Sequence, residues 1–475
     1  MAEQKSRGRR RRRPARRPRA RRQVTKDGRE RVMLVGGSAE RAQVAILEDG
    51  VLVETYLARK TRRSLVGNIY LGRVQNVLKG MEAAFVDIGQ PRNAVLYIGE
   101  VMNDEDVDGE AKPAAQQSID EVLSSGQQVL VQVTKDPMGS KGARLTTEVS
   151  LAGRYCVLVP RGSGYGISRR LDDDERHRLR DIAKRVKPDG FGVIVRTAAE
   201  GVEADELTRD IERLSRLWQE IEGRSEKGSA PLEIYVEPEL VIRVVRDLFS
   251  RDYERLMIED AETHGRVMNY LGAVAPDLAE RVVLHSGPEG LFDSLSVTDQ
   301  VRKALERKVW LPSGGYIVID RAEALTVIDV NTGRFVGKTN LEAAKEVVRQ
   351  LRLRDIGGII VIDFIDMLLA RNRETVLKDF RRELEADKTK TQVIGISPLG
   401  LVEMTRKNVS EGLLETLGNA CPTCAGRGVV IDGAPVDEPE PEPIEQRQRQ
   451  GNRPPRRRPP RQQRPAPQTS EQVSE

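Results

Sequence analysis

The chain has 475 residues, 38% apolar and 32% charged, which is room for several domains but too much charge for one compact globule. Its net charge of +5 is unevenly spread: residues 1–22 hold twelve Lys or Arg against one Glu, residues 432–475 balance eight acids with eight bases, and −6 is left for residues 23–431. No run of about 18 apolar residues could span a membrane, no apolar stretch follows the basic N-terminus as a secretory signal requires, and three cysteines fit a reducing cytoplasm better than a disulfide scaffold.

In chain order, residues 1–28 are an Arg-rich segment that buries too little apolar surface to fold. It is predicted to be a disordered tail, either solubilising or contacting phosphates without sequence preference. Residues 30–60, ERVMLVGGSAERAQVAILEDGVLVETYLARK, alternate apolar runs with GG and DG and predict two or three short antiparallel strands. The pattern continues through VGNIYLGRVQNVLKGMEAAFVDIGQPRNAVLYI, breaks at a polar insertion (102–120), and resumes in GQQVLVQVTKD. Short strands with Gly-rich turns predict a small closed barrel of the OB type. Residues 151–200 mix the strands YCVLVP and FGVIVRT with a charged helix, LDDDERHRLRDIAKRV. Two further stretches read as helical, ELTRDIERLSRLWQEIEGR and LVIRVVRDLFSRDYERLMIE, with strand-like IYVEPE between them.

From residue 309, WLPSGGYIVIDRAEALTVIDVNTG predicts two strands joined at DRAEA. A helix follows in TNLEAAKEVVRQLRLRDIGG, opened by a capping box of Thr339 and Glu342 and closed by Gly357 and Gly358. Then come the buried strand IIVIDFIDM, the helix DMLLARNRETVLKDFRRELEADK and the strand TQVIGISPLG. That alternation predicts an α/β unit with a right-handed crossover. Residues 432–475, acidic and then Pro- and Arg-rich, predict a second disordered tail.

Acidic residues stand where two of these strands stop: Asp329 in LTVIDVN and Asp363 in IIVIDF. Ligand sites in open α/β sheets gather at such strand ends. With the amide of Asn331 they form a hard oxygen set suited to Mg²⁺ or Mn²⁺, although strand-end aspartates equally cap helices or bind turns. Asp366 ranks below Asp363. On a continuing strand it would face the other way, and it stands where it could cap the next helix. No Gly-x-Ser-x-Gly elbow and no Walker phosphate loop are present, which argues against serine hydrolase chemistry and ATP-driven work. Near the C-terminus CPTCAGRG places Cys421 and Cys424 at metal-knuckle spacing. A structural zinc wants four ligands, so either the pair binds no metal or its completion lies outside the chain.

Taken together, LPSGGYIVIDRAEALTVIDVNTG, TNLEAAKEVVRQLRLRDIGGIIVIDFIDM and CPTCAGRG resemble the catalytic half of the ribonuclease E/G family. So do EAAFVDIG, KGARLTTEVSLAGRY and FGVIVRTAAEG, and the likeness runs over about residues 31 to 430. It implies an α/β (α+β) multidomain fold: an RNase H-like subdomain split into 29–63 and 236–305, an inserted OB-fold RNA-binding barrel (64–148) and a 5′-sensor region (149–235). A DNase I-like catalytic subdomain (306–418) and a zinc-link (419–431) follow. The implied activity is Mg²⁺-dependent endonucleolytic cleavage of single-stranded RNA to 5′-phosphate and 3′-hydroxyl ends, in mRNA decay and rRNA or tRNA processing.

Residue by residue, Asp329 and Asp363 match the family's magnesium-binding catalytic aspartates, and Asn331 its neighbouring asparagine. Arg196 and Thr197 match the pocket that grips an RNA 5′-monophosphate; Gly153, Val157 and Arg169 match positions that line or support it, and Lys390 stands where an arginine is expected. Phe85 matches an aromatic that packs RNA bases, its expected second aromatic being Val95 here, and Lys141 matches a basic backbone contact. Cys421 and Cys424 match a zinc site shared between two protomers, which implies a homodimer. The small domain that pairs dimers into tetramers in the family is not matched, so a tetramer is not expected. Two other classes stay open on motifs alone. One is a noncatalytic RNA-binding scaffold built on the barrel and Arg-rich tails. The other is a DnaJ-type chaperone, whose zinc region repeats C-x-x-C-x-G-x-G several times where this chain has it once.

Overall fold

The computed structural model describes residues 28–37, 41–58, 64–101, 118–137, 141–333, 336–397, 399–408, 412–419, 421–424 and 428. Apart from Gly28, the two tails expected to be disordered fall outside these residues, as does most of the polar insertion. One compact unit runs to Leu417 and a second begins at Gly418.

The first unit carries its apolar residues on four sheets. Arg31–Gly36, Gln43–Glu48 and Val51–Leu57 form an antiparallel meander, as their alternation predicts. The free edge of Arg31–Gly36 is taken in parallel by Tyr253–Ile258, with Val282–Leu284 beyond it. One sheet is therefore assembled from two chain segments, and everything between them is an insertion. This corrects one expectation: LVIRVVRDLFSRDYERLMIE is not one helix. It is a helix over Leu240–Leu248, burying Val241, Val244 and Val245, and then the strand Tyr253–Ile258. The strand buries Tyr253, Leu256 and Ile258, and the step of three between the first two also fits a helical stripe.

The insertion opens with the barrel. Ile69–Leu78, Ala83–Asp87, Ala94–Tyr97, Arg144–Thr146 and Gln128–Lys135 pair in that order, and the pairing of Ile69–Leu78 with Gln128–Lys135 closes the ring. Closure leaves none of the five long edges unpaired. A second insertion sheet, Leu151–Ala152, Cys156–Pro160, Phe191–Val195 and Tyr165–Ile167, packs with the helices Asp173–Val186 and Ala204–Lys227.

The last sheet runs Lys308–Trp310, Tyr316–Arg321, Leu325–Asn331, Gly358–Asp363, Leu401–Arg406, Thr391–Ile396. The helices Val336–Leu353 and Ala370–Leu384 cover one face, where Ile328, Val330, Ile360 and Ile362 are buried. The helical crossover between Leu325–Asn331 and Gly358–Asp363 makes them parallel. The rest of the sheet departs from the α/β expectation. Leu401–Arg406 enters antiparallel beside Gly358–Asp363 and pushes Thr391–Ile396 to the edge. Among the described residues no helix is long and apolar enough to cross a membrane.

Candidate active site and nucleic-acid interface

Alternation decides where the two aspartates point. Ile328 and Val330 face the helices, as do Ile360 and Ile362, so Asp329 and Asp363 must face the open side. They are register partners on adjacent parallel strands. Asn331 lies on the same face, and its Nδ2 donates to Asp329 Oδ2 at 2.7 Å.

Two turns hold the strand ends. The turn after Asn331 packs directly on the Ser313–Gly315 turn, so closely that a Cβ on Gly333 would lie 2.7 Å from the Gly314 carbonyl carbon and the Gly315 nitrogen. Ser313 donates its N–H to Glu342 Oε2 at 2.7 Å, and its hydroxyl meets that of Thr339 at 3.1 Å. The expected capping box is thus corrected. The helix is already formed at Val336, and Thr339 and Glu342 tether the LPSGG turn instead. Asn340, fully buried on that helix, donates to the Ile365 carbonyl (2.9 Å) and accepts the Ile365 N–H (3.1 Å), clamping the chain just past Asp363. Sequence reasoning missed this residue; its signal was an amide in an otherwise apolar helical stripe. Asp366 does not cap the following helix, whose N-cap is Leu369.

The Asp363 carboxyl is pushed above its ordinary value by burial, then by the negative charges of Asp329 and Asp366. Two carboxylates that repel each other beside an amide fit a divalent cation, which relieves the repulsion and takes hard oxygen ligands. Among the described residues no three His, Cys, Asp or Glu side chains converge as a full metal shell, so such an ion would keep several waters, as Mg²⁺ does.

On the barrel, Phe85 is half-buried and sits directly opposite Val95. Tyr97, two residues on from Val95, shares that face and carries the Arg144 guanidinium 5.1 Å above its ring. Lys141 is exposed one strand away. The face therefore combines aromatic and cationic groups, the pairing that single-stranded nucleic acids stack on.

The sensor candidates partly converge. Arg196 donates from Nη1 to the Gly153 carbonyl at 3.0 Å and pairs with Asp247 at 2.7 Å. Burial alone would raise the Asp247 carboxyl; hydrogen bonds from Arg246 and the charge of Arg196 outweigh it and hold it below its usual value. Thr197 shares a 2.7 Å hydroxyl contact with Ser168, on the loop that leads to exposed Arg169. Val157 is a register partner of Ile194 on the adjacent strand. Lys390 is exposed. Arg170 donates to the Asp387 carbonyl at 2.6 Å across a sequence gap of 217 residues, which ties the segment just before Lys390 to the loop that carries Ser168 and Arg169. Asp247 and Arg170 were not legible as site supports in the sequence.

In the second unit, Cys421 is exposed and Cys424 partly so. Hydrogen bonds from the Cys424 and Thr423 backbone lower the Cys421 thiol, which favours the thiolate that zinc binds. Two thiolates are half a tetrahedral site. Cys156 is buried, and burial pushes its thiol well up, so it is a packing residue.

An aromatic, cationic barrel face joined to a sheet with paired open carboxylates is the equipment of a nuclease. The S1 RNA binding domain model matches residues 65–148, the closed barrel, and the Ribonuclease E/G family model matches residues 150–409. Ribonuclease G of Escherichia coli K12 is 42% identical over 410 residues, 84% of each chain. Ribonuclease G of Haemophilus influenzae is 40% identical over the same share. Ribonuclease E of a Nostoc species is 39% identical over 408 residues, 83% of this chain and 58% of that one. The chain belongs to the ribonuclease E/G family.

Proposed function

We propose that the chain is an endoribonuclease of RNA decay and processing that cleaves single-stranded RNA in the cytoplasm and senses a 5′-monophosphate. The observation that carries this is the register pairing of Asp329 with Asp363 on the open face of the sheet. Asp329 and Asp363 would hold Mg²⁺, which when bound neutralises a scissile phosphate and acidifies a water, leaving 5′-phosphate and 3′-hydroxyl ends. Asn331 orients Asp329 through its amide. The barrel face, with Phe85 and Lys141, binds the strand, and Arg196 and Thr197 grip its 5′-phosphate, with Gly153, Val157, Arg169 and Lys390 around them. In this reading the two-segment sheet is RNase H-like, the carboxylate sheet is DNase I-like, and Cys421 and Cys424 of two protomers share one Zn²⁺ in a homodimer.

The test is direct. Asp329→Asn with Asp363→Asn should reduce cleavage of an A/U-rich single-stranded oligonucleotide by at least about a thousandfold while binding persists. Undiminished cleavage would refute the reading.

A further inference from the structure

The open face of the carboxylate sheet holds a second cluster of groups. Cross-strand register places Lys308 opposite Val318, Val318 opposite Asp329, and Asp329 opposite Asp363, one row across the sheet. The adjoining row on the same face runs Trp310, Tyr316, Asn331. Trp310 is 65% exposed. Its ring meets that of Tyr316 edge to face, with centroids 5.4 Å apart. Lys308 Nζ stands 4.0 Å from the Trp310 centroid and 3.4 Å from that of Tyr316. Among the described residues no carboxylate forms an ion pair with this ammonium.

We infer that Trp310 and Tyr316, with Lys308, form a stacking platform for a nucleobase of the RNA strand next to the bond being cut. The inference rests on the endoribonuclease reading and adds a binding subsite to it. Three features favour RNA over a protein partner. An exposed indole offers a π-face to any base, which is how sequence-tolerant single-strand sites work. A cation without a carboxylate partner suits the phosphate that joins one stacked nucleotide to the next. The position suits it too: two strand spacings, about 10 Å, separate Trp310 from the Asp329 strand, within reach of a neighbouring nucleotide.

Trp310 also supplies the readout. The other tryptophan, Trp218, is only 6% exposed in the core around the sensor sheet, so bound bases can quench only Trp310. The full chain carrying Asp329→Asn and Asp363→Asn is titrated with an A/U-rich single-stranded decamer, binding being followed independently by calorimetry. Emission should be quenched in step with binding. The quench should be lost in Trp310→Phe, and an oligomer abasic next to the cleavage site should not produce it. With the aspartates intact, Trp310→Ala should raise KM roughly fivefold to a hundredfold on the full substrate and have little effect on the abasic one. Unchanged emission at saturating RNA, with the unaltered chain still cutting, overturns this inference alone. If the unaltered chain neither binds nor cuts the decamer, the endoribonuclease reading falls and takes this one with it. If Trp310→Ala instead lowers the oligomeric mass and leaves KM alone, the cluster is a protein interface and the inference is overturned.

Discussion

Arg196 is held from two directions. Asp247 takes its charge on one side and the Gly153 carbonyl takes a hydrogen bond on the other, so the guanidinium is oriented before any ligand arrives. A preoriented fork loses less freedom on meeting a phosphate. Gly153 serves the same end: a Cβ there would lie 2.4 Å from Asp210 Oδ2, so only glycine lets its carbonyl sit where Arg196 reaches it. Replacing Arg196 with Ala should cut cleavage of 5′-monophosphorylated RNA on the order of tenfold and leave the 5′-hydroxyl form of the same RNA nearly unaffected. Paired single-turnover assays on the two RNAs measure this, and equal losses on both would remove Arg196 from 5′-end sensing.

At the scale of elements, the face that carries Asp329, Asn331 and Asp363 depends on two turns locked together. Gly333→Ala would drive a Cβ into the backbone of the Ser313–Gly315 turn, and the turns must part or the strand end carrying Asn331 must shift. The expected cost is about 1–3 kcal/mol of stability, with kcat falling more than KM. Denaturant unfolding and steady-state cleavage check the two parts. The aspartate pair was legible because apolar residues alternate around both members and leave them one possible face. The tethers were not legible. Thr339 and Glu342 have the spacing of a capping box, and only the three-dimensional position of Ser313 shows that they hold a different turn. Leu401–Arg406 went unread as a strand, and its placement beside Gly358–Asp363 depends on pairing that no local pattern encodes. Tyr253–Ile258 was lost for a related reason: six residues that bury Tyr253, Leu256 and Ile258, preceded by a helix, carry too few positions to separate a period of 2 from one of 3.6.

At the scale of the whole first unit, the two-segment sheet is bolted to the carboxylate half by a buried ionic cluster. Glu48 pairs with Arg29 at 2.9 Å, Arg31 at 3.2 Å and Arg352 at 3.0 Å, and Arg352 also takes Glu54 at 2.7 Å. Burial would raise the Glu48 carboxyl, but the charge and hydrogen bonds of Arg352, then Arg29 and Arg31, bring it down to about 2 from 4.5. A depressed carboxylate stabilises the fold fully above its unfolded value and loses that contribution as pH falls toward its folded value. Wild type should therefore exceed Glu48→Gln by about 3 kcal/mol at neutral pH. The gap should close as pH drops from 4.5 toward 2, as followed by urea unfolding at stepped pH; a constant gap would show that the cluster's charge is not what stabilises it. For the second unit, metal analysis should find about one zinc per two chains, and Cys421→Ser should give monomers on a sizing column. A full zinc per chain would rule out a shared site.

The two-segment sheet also sets a timetable for synthesis. The strand Arg31–Gly36 leaves the ribosome more than two hundred residues before its parallel partner Tyr253–Ile258 exists. At about 5–20 residues per second, the N-terminal meander waits about 10 to 40 seconds with one edge and an apolar face uncovered. The ring of the barrel closes from strands within residues 69–146, and only the short strand Leu232–Tyr235, which pairs with the start of Ile69–Leu78, is added to it later. The segment made first is therefore completed late, and this interval is when the nascent chain most needs protection from pairing with its neighbours.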